Sequence, residues 1–385
     1  MSANSTTLEE QRAVAVTTPS MRRRIAIFVT TIQTIFFLGH WFVYKTWTAF
    51  SARPFSAALP IVLALLSVSF VAASFLGYRY TNGFVRVFYT LSAVWLGALN
   101  FFFLAACLCW PIYAVFSLAG VPQWRPLIVY VLYGAAALIA IAGVINARII
   151  RVKKVDVRLP NLPESWQGRV AVQVSDLHLG HVNSAGFMRR IVRKLQALEP
   201  DIVFITGDLY DGSKVEAAAV VAPWKELATP FGVYFITGNH EEFTDPGKYL
   251  DAVNDTGIRV LHNEKVVVDG LQVVGVHYGS SGASRLRPVL DRIGISRDRA
   301  SILLSHEPHA LPIAEEAGIS LQLSGHTHGG QVFPITYFTR RIFKEFTYGL
   351  QRFGDMLVYT TTGAGTWGPP MRVGTRPEIV LIEFE

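Results

Sequence analysis

From Gln11 to Val155 the chain has no aspartate or glutamate, and between Arg24 and Arg148 its only charges are Lys45, Arg53, Arg79, Arg86 and Arg125. A stretch that long with no polar face excludes ordinary soluble helices and reads as membrane. Cysteine is scarce as well: Cys107 and Cys109 both fall in one apolar run and read as packing residues rather than ligands or a disulfide. No Walker sequence or dinucleotide fingerprint is present, which leaves a kinase or a dehydrogenase without support. No internal repeat or low-complexity tract is evident.

What is there is oily: 385 residues, 51% hydrophobic and only 16% charged. Four uncharged apolar segments, 25–44, 57–77, 87–116 and 126–147, each reach the roughly 20 residues needed to cross a hydrocarbon core. Trp41, Trp47, Trp110 and Trp124 lie near their ends, as interfacial anchors do. The third segment is long and carries Pro111, so a kink or a re-entrant tail is open there. His40, inside the first, reads as an interfacial or interhelical polar contact.

The net charge of +7 does not imply nucleic acid, because residues 1–155 hold 13 Lys or Arg against 2 Glu, while 156–385 hold 22 against 26 Asp or Glu. Basicity belongs to the membrane part, and the rest is slightly acidic, which disfavours a nuclease. Arg12, Arg22 to Arg24, Arg79, Arg86 and the cluster Arg148 to Arg158 fall on one side of the bilayer; only Lys45, Arg53 and Arg125 fall on the other. The positive-inside rule puts both termini in the cytoplasm, at an inner membrane. Export of the domain by a twin-arginine signal at Arg22-Arg23-Arg24 is the minority alternative, opposed by the three further spans and the lack of a small-residue cleavage site.

The expected plan is a polar cytoplasmic N-terminus (1–24), four transmembrane helices (25–147), a basic juxtamembrane linker (148–166) and a globular domain (167–385) of about 220 residues, enough for a proper core. Strand-like runs at 169–174, 201–206, 232–237, 302–305 and 320–323 alternate with helix-like segments at 184–198, 214–227, 246–253 and 285–293. A hairpin turns at Asp269-Gly270, and strands 356–361 and 378–385 end the chain. This is an α/β pattern.

Five short motifs follow such strands: Asp176-Leu177-His178, Gly207-Asp208, Gly238-Asn239-His240-Glu241, Ser305-His306 and Gly325-His326-Thr327-His328. Each alone is within reach of chance in a chain with ten histidines, or of ordinary loop capping by Asp, Asn and His. In open α/β sheets, however, loops at the carboxyl ends of strands converge on one crevice, so the five belong together. Carboxylates and neutral imidazoles suit Mn, Fe or Zn. Two such ions roughly 3.5–4 Å apart lower the pKa of a shared water from about 15.7 toward neutrality and stabilise the entering and leaving oxygens of a phosphoryl group.

As a set these residues resemble the calcineurin-like metallophosphoesterase superfamily, over about residues 168–385. The resemblance implies a β-sandwich flanked by helices, a four-layer α/β/β/α fold, after the membrane helices. It implies two divalent ions, Mn first with Fe or Zn as alternatives: Asp176, His178 and His328 would hold one, Asn239, His306 and His326 the other, with Asp208 between them. A hydroxide bridging the ions would attack phosphorus. His240 would stabilise the phosphoryl oxygens or protonate the leaving group, and Asp211 matches the carboxylate that in some relatives orients this histidine.

Ser175-Asp176-Leu177-His178-Leu179-Gly180, Gly329-Gly330-Gln331 and Gly365-Thr366-Trp367-Gly368-Pro369-Pro370-Met371-Arg372 look most like a bacterial membrane-associated phosphodiesterase branch. Some of its members act as UDP-2,3-diacylglucosamine pyrophosphatases. His277 departs from that pattern, standing where acidic residues are expected. The function this implies is hydrolysis of a phosphodiester or pyrophosphate, in a lipid-linked or nucleotide-lipid substrate. The alternatives are a phosphomonoesterase or protein phosphatase, and a membrane scaffold that keeps the fold without turnover. Arg372, after a Gly/Pro-rich loop, is a candidate phosphate contact or a structural salt bridge. His181, His262, His277 and His309 read as hydrogen-bonded loop or surface residues. The bilayer is the one partner the sequence implies besides the substrate; it says nothing of oligomeric state.

Overall fold

The structure, a computed structural model, describes residues 19–52, 58–243 and 246–385. Residues 1–18 of the expected polar N-terminus lie outside the described residues. Four long helices come first: α1 (Pro19–Phe50), α2 (Ala58–Arg79), α3 (Gly83–Leu118) and α4 (Arg125–Ala147). At 1.5 Å per residue even the shortest spans roughly 33 Å, the thickness of a hydrocarbon core. Helix α3 continues through Pro111. In the most apolar stretch of each helix between 6% and 33% of the residues are buried, so side chains such as Phe28, Leu65, Leu91 and Leu138 point outward. All four are long and apolar enough to cross a membrane.

The chain forms two compact units. One gathers residues up to Phe75 with Ala98–Leu138. Its few polar groups find partners inside apolar helices, where an unpaired donor is costly: Tyr133 donates to the Val43 carbonyl (2.9 Å) and Trp110 to Thr46 Oγ1 (3.1 Å). The Phe50 ring meets Trp110 edge to face at 5.1 Å.

The second unit, Leu76–Gly97 with Ile139–Glu385, carries the sheets. Its elements run β1 (Arg151–Val157), β2 (Val170–Val174), α5 (Ala185–Gln196), β3 (Ile202–Thr206), α6 (Ala217–Val221), β4 (Val233–Ile236), α7 (Pro246–Asn254), β5 (Arg259–Val260), β6 (Glu264–Val268), β7 (Leu271–Gly275), α8 (Ala283–Ile293), β8 (Ser301–Leu304), α9 (Leu311–Glu316), β9 (Leu321–Ser324), α10 (Ile335–Phe343), β10 (Gly349–Phe353), β11 (Met356–Thr360) and β12 (Glu378–Phe384). Two six-stranded sheets result, in the orders β1-β12-β2-β3-β4-β5 and β10-β11-β9-β8-β7-β6.

Alternation along each strand separates the layers. Ile202 and Phe204 face the other sheet, meeting Val273, Ile302, Leu304 and Leu323, while Val203 and Ile205 of the same strand face Met188, Ile191 and Leu195 of α5. Beyond the second sheet, Leu303 and Val358 pack on Leu286 and Leu290 of α8. Helices on the two outer faces thus enclose two sheets, as expected.

Several elements differ from the sequence reading, among them α9, β5 and β10, which it did not foresee. The basic run taken for a linker forms β1, an edge strand paired in parallel with β12 from Arg151↔Glu378 to Val157↔Phe384. Its outward positions Lys153 and Lys154 are charged, as edge strands are when they must not recruit another chain. The helix expected at 214–227 is only five residues of α6 followed by a 3₁₀ turn, because Pro223 opens a new turn there. Helix α10 was not foreseen at all.

Candidate metal centre

The five motifs sit at the carboxyl ends of β2, β3, β4, β8 and β9. In each sheet those strands run parallel, β2-β3-β4 in one and β8-β9 in the other, so all five loops emerge at one end of the sandwich. Five of the seven expected ligands, Asp176 (φ 55°), His178 (φ 46°), Asp208 (φ 52°), His326 (φ 67°) and His328 (φ 48°), have left-handed backbone. That conformation costs roughly 1–3 kcal/mol for a non-glycine residue and clusters at functional sites. Gly238 lets two loops meet: a Cβ there would stand 2.1 Å from Asp208 Oδ1.

The side chains form adjoining sets. Asp176, His178 and His328 make one, with His178 Nε2 and His328 Nε2 3.0 Å apart and His328 Nε2 3.5 Å from Asp176 Oδ1. Asp208, His306 and His326 make another, with Asp208 Oδ2 3.2 Å from His306 Nε2 and His326 Nδ1 3.2 Å from that same nitrogen. Asn239 Oδ1 joins the second set, 3.1 Å from His326 Nδ1. Asp208 Oδ2 also lies 3.7 Å from His178 Nε2 and 4.0 Å from His240 Nε2, so it stands between the sets.

Surrounding groups fix how these atoms point. His306 Nδ1 donates to the Thr206 carbonyl (2.7 Å), which turns Nε2 toward Asp208. Asp176 accepts the His326 amide (3.0 Å) and Asp208 accepts the His240 amide (3.0 Å), tying loops of different strands together. Glu241, fully buried, accepts the amides of Asp208 (3.0 Å), Tyr210 (3.0 Å) and Gly238 (2.7 Å).

Burial drives His178 down to about 3, and burial with the neighbouring His306 charge drives His326 to about 4. Burial and Arg372 hold His328 well below the ordinary histidine value. These rings stay neutral, the state that offers a lone pair to a metal. Burial also raises Asp176 to about 6. His306 goes the other way: burial opposes its charge, but Asp208 outweighs it and lifts it to about 10. Neutral nitrogens facing one another at 3.0 Å, two buried carboxylates, and a buried His178 Nδ1 without a hydrogen-bond partner make a donor set short of positive charge. Divalent cations fit it.

Two expected residues are placed differently from the expectation. Asp211 holds His240 through its main-chain carbonyl, 2.9 Å from Nδ1, while its carboxylate Oδ1 lies 4.0 Å from His178 Nδ1. Burial raises that carboxyl to about 8. Arg372 is 1% exposed and donates to the carbonyls of His328 (2.9 Å), Thr362 (2.7 Å) and Gly365 (2.6 Å). It braces the centre from behind, enclosed by carbonyls rather than making either the phosphate contact or the salt bridge that the sequence left open.

The sequence reading named Glu241 within a motif but gave it no role, and it did not name Glu307. Glu307 accepts the Tyr278 hydroxyl (3.0 Å) and sits 3.3 Å from His326 Nε2. Their signal was adjacency, one ending the Gly-Asn-His-Glu run and the other following His306. Of the remaining histidines, His277 pairs with Glu242 (2.9 Å), and His181 is buried against the Gly77 carbonyl (2.9 Å). A cavity of about 320 Å³ opens over the centre, with His178, Asp208 and His240 on its floor and Ile335, Phe343 and Trp367 in its wall.

The family model for calcineurin-like phosphoesterases matches residues 170–330, which contain every expected metal ligand. The metallophosphoesterase YkuE of Bacillus subtilis is 30% identical over 241 residues, covering 58% of this chain and 82% of that protein. The chain belongs to the calcineurin-like phosphoesterases. A transmembrane protein with a metallophosphoesterase domain from Danio rerio is 35% identical over 267 residues, 64% of this chain. A metallophosphoesterase of Campylobacter jejuni is 31% identical over 240 residues, 61% of this chain. The chain spans about 60% of the length of these two relatives, 60% and 63% respectively. Outside the segment matched to the phosphoesterase model lie Arg372, Trp367 and α10.

Proposed function

We propose that this phosphoesterase hydrolyses a phosphodiester or pyrophosphate bond at two divalent ions, on a lipid-linked or nucleotide-lipid substrate, while anchored in the membrane by α1 to α4. The observation that carries the reading is Asp208, whose Oδ2 lies between the Asp176–His178–His328 set and the His306–His326–Asn239 set at the floor of an open cavity. Asp176, His178 and His328 would hold one ion, Asn239, His306 and His326 the other, and Asp208 both. Bound there, such ions supply charge neutralisation for the phosphoryl group and an activated water at neutral pH. Manganese suits the mixed oxygen and nitrogen donors, as do iron and zinc.

The chain's own residues do the rest. His240 is held at Nδ1 by the Asp211 carbonyl, which aims Nε2 over Asp208; in its charged form it donates to a phosphoryl oxygen or gives its proton to the leaving oxygen. Arg372 and Glu241 position ligands without touching substrate. The pairing of β1 with β12 supports a hydrolytic domain that starts at β1, and the charge map favours its facing the cytoplasm at an inner membrane. A sugar nucleotide carrying acyl chains, as in the UDP-2,3-diacylglucosamine pyrophosphatase branch, is the specific substrate the loop motifs favour.

The test is metal analysis of the purified full chain with a manganese-dependent assay on bis(p-nitrophenyl) phosphate, comparing Asp208→Asn and His240→Ala. Expected are loss of bound metal in the first, and retained metal with turnover lowered by about 10²–10⁴ in the second. Metal-loaded protein inactive on every phosphoester would favour a scaffold instead.

A further inference from the structure

Among the described residues from 156 to 385, eight large apolar side chains are exposed, and six of them are Phe333, Ile335, Tyr337, Phe338, Ile342 and Trp367. Two of the six, Ile335 and Trp367, line the cavity, and the other four lie on or just ahead of α10. Helix α10 presents Ile335, Thr339 and Phe343, spaced by four, to the cavity, and sets Phe338 (59% exposed) and Ile342 (71%) on the adjoining outer stripe. Trp367 (58% exposed) also lines the cavity, its ring 6.1 Å from that of His240. The helix has no acidic residue and carries Arg340 and Arg341 in its last turn. An apolar patch of this kind beside a basic edge is the composition of a helix lying in a membrane interface.

The strap that carries Trp367 is fastened to helices apolar enough to cross the bilayer. A Cβ on Gly97 of α3 would stand 3.0 Å from Pro369 Cβ, and one on Gly143 of α4 would stand 2.6 Å from Met371 Cγ and Val373 Cγ2. The Arg372 amide donates to the Gly143 carbonyl (2.9 Å), and Asn146 of α4 donates to the carbonyls of Arg372 and Thr375 (2.9 Å each). The Phe333 amide, just ahead of α10, is in turn bonded to the Val373 carbonyl (3.0 Å). The exposed patch is therefore tied to the end of α4, where Ile145, and Ile149 just beyond the helix, are also exposed.

We infer that α10 and Trp367 lie in the interfacial layer of the bilayer and that the apolar wall between them receives the hydrocarbon chain of a membrane-resident phosphoester. The substrate is an amphiphile entering sideways from the leaflet, its chain along Ile335, Phe343 and Trp367 and its phosphate toward Asp208 and His240. This rests on the phosphoesterase reading and adds to it the tail site and the route.

Two measurements on the full chain in phospholipid nanodiscs test it. In a Cys107→Ala, Cys109→Ala background, spin labels at Ile342→Cys and at the exposed Asp298→Cys are compared for relaxation by oxygen and by a water-soluble nickel chelate. The label at 342 is expected to be oxygen-accessible and shielded from nickel, and the label at 298 the reverse. Nickel access at 342 equal to that at 298, or dipolar broadening from a second copy of the chain on this face, overturns the surface.

The second measurement compares a hexadecyl phosphodiester with its butyl analogue in the manganese-loaded protein. The long chain is expected to win in kcat/KM by at least about tenfold, and Ile335→Asp and Trp367→Asp to erase that preference. Equal turnover of the two esters overturns the tail site. Hydrolysis of neither overturns the phosphoesterase reading and the tail site with it, and the label result tells that failure apart from a wrong surface.

Discussion

Arg372 Nη2 lies 3.1 Å from His328 Nδ1, and Nη1 of the same guanidinium donates to the His328 carbonyl at 2.9 Å. One side chain thus grips an expected metal ligand by ring and backbone while its own main chain is bonded to the Gly143 carbonyl of α4. Its charge also helps burial keep the His328 ring neutral. Only a guanidinium has enough donors for this many carbonyls at once.

Arg372→Ala is expected to orphan the carbonyls of Thr362 and Gly365 and to release His328. Lost outer partners of metal ligands typically cost about 10–100-fold in metal affinity or activity. The measurement is metal titration by calorimetry on the variant beside Arg372→Lys. Lysine, with one point charge in place of the fork, is expected to recover only part of the affinity; full recovery by lysine would refute the bracing role.

Glu241 makes a second prediction. Its carboxylate accepts three amides that shape the Asp208 and Gly238 loops, and burial pushes it up to about 7. Glu241→Gln places an NH₂ group against at least one of those amides, leaving a buried donor unpaired at about 1–3 kcal/mol. Thermal melts of the metal-free variant are expected to shift down accordingly. An unchanged melting temperature would mean that the loops hold Asp208 without it.

The loops of the candidate site were legible in the sequence because their chemistry is local: each is a short run after an apolar strand, and polar residues clustered at strand ends need no tertiary knowledge to be noticed. The four long helices were legible for a similar reason, as length and missing acids alone mark them. Less legible was anything decided at long range. Strand β1 looks like a basic linker until β12, more than two hundred residues later, supplies its partner. Arg372 was left between a phosphate contact and a structural salt bridge because its enclosing carbonyls come from residues 328, 362 and 365. Helix α10 has a short mixed sequence whose apolar stripe makes sense only beside the cavity.

Glu378 carries a pH prediction. Burial raises its pKa, although Thr361 (2.9 Å), Tyr348 (3.0 Å) and Tyr359 (3.3 Å) all donate to it. For a carboxyl raised on folding, the folded state holds its proton more tightly than the unfolded chain. Its contribution is therefore full below the unfolded value, about 4.3, and is lost as pH rises through the folded value. Glu378→Gln cannot ionise, so its stability is expected to gain on that of the parent as pH rises from 4 upward. Denaturation followed across that range checks the sign; a parent that gains on the variant instead would contradict it.

The contact between Asp211 and His240 separates backbone from side-chain control. Because Nδ1 of His240 is held by a main-chain carbonyl, Asp211→Asn keeps that hydrogen bond while removing the carboxylate charge. Turnover of a soluble diester by Asp211→Asn is expected to stay within about tenfold of the parent, whereas His240→Ala falls by about 10²–10⁴. Had the carboxylate oriented the imidazole, the two variants would fall together. Steady-state kinetics with matched metal loading decides, since loading also reveals any effect that reaches His178, 4.0 Å from the Asp211 carboxylate.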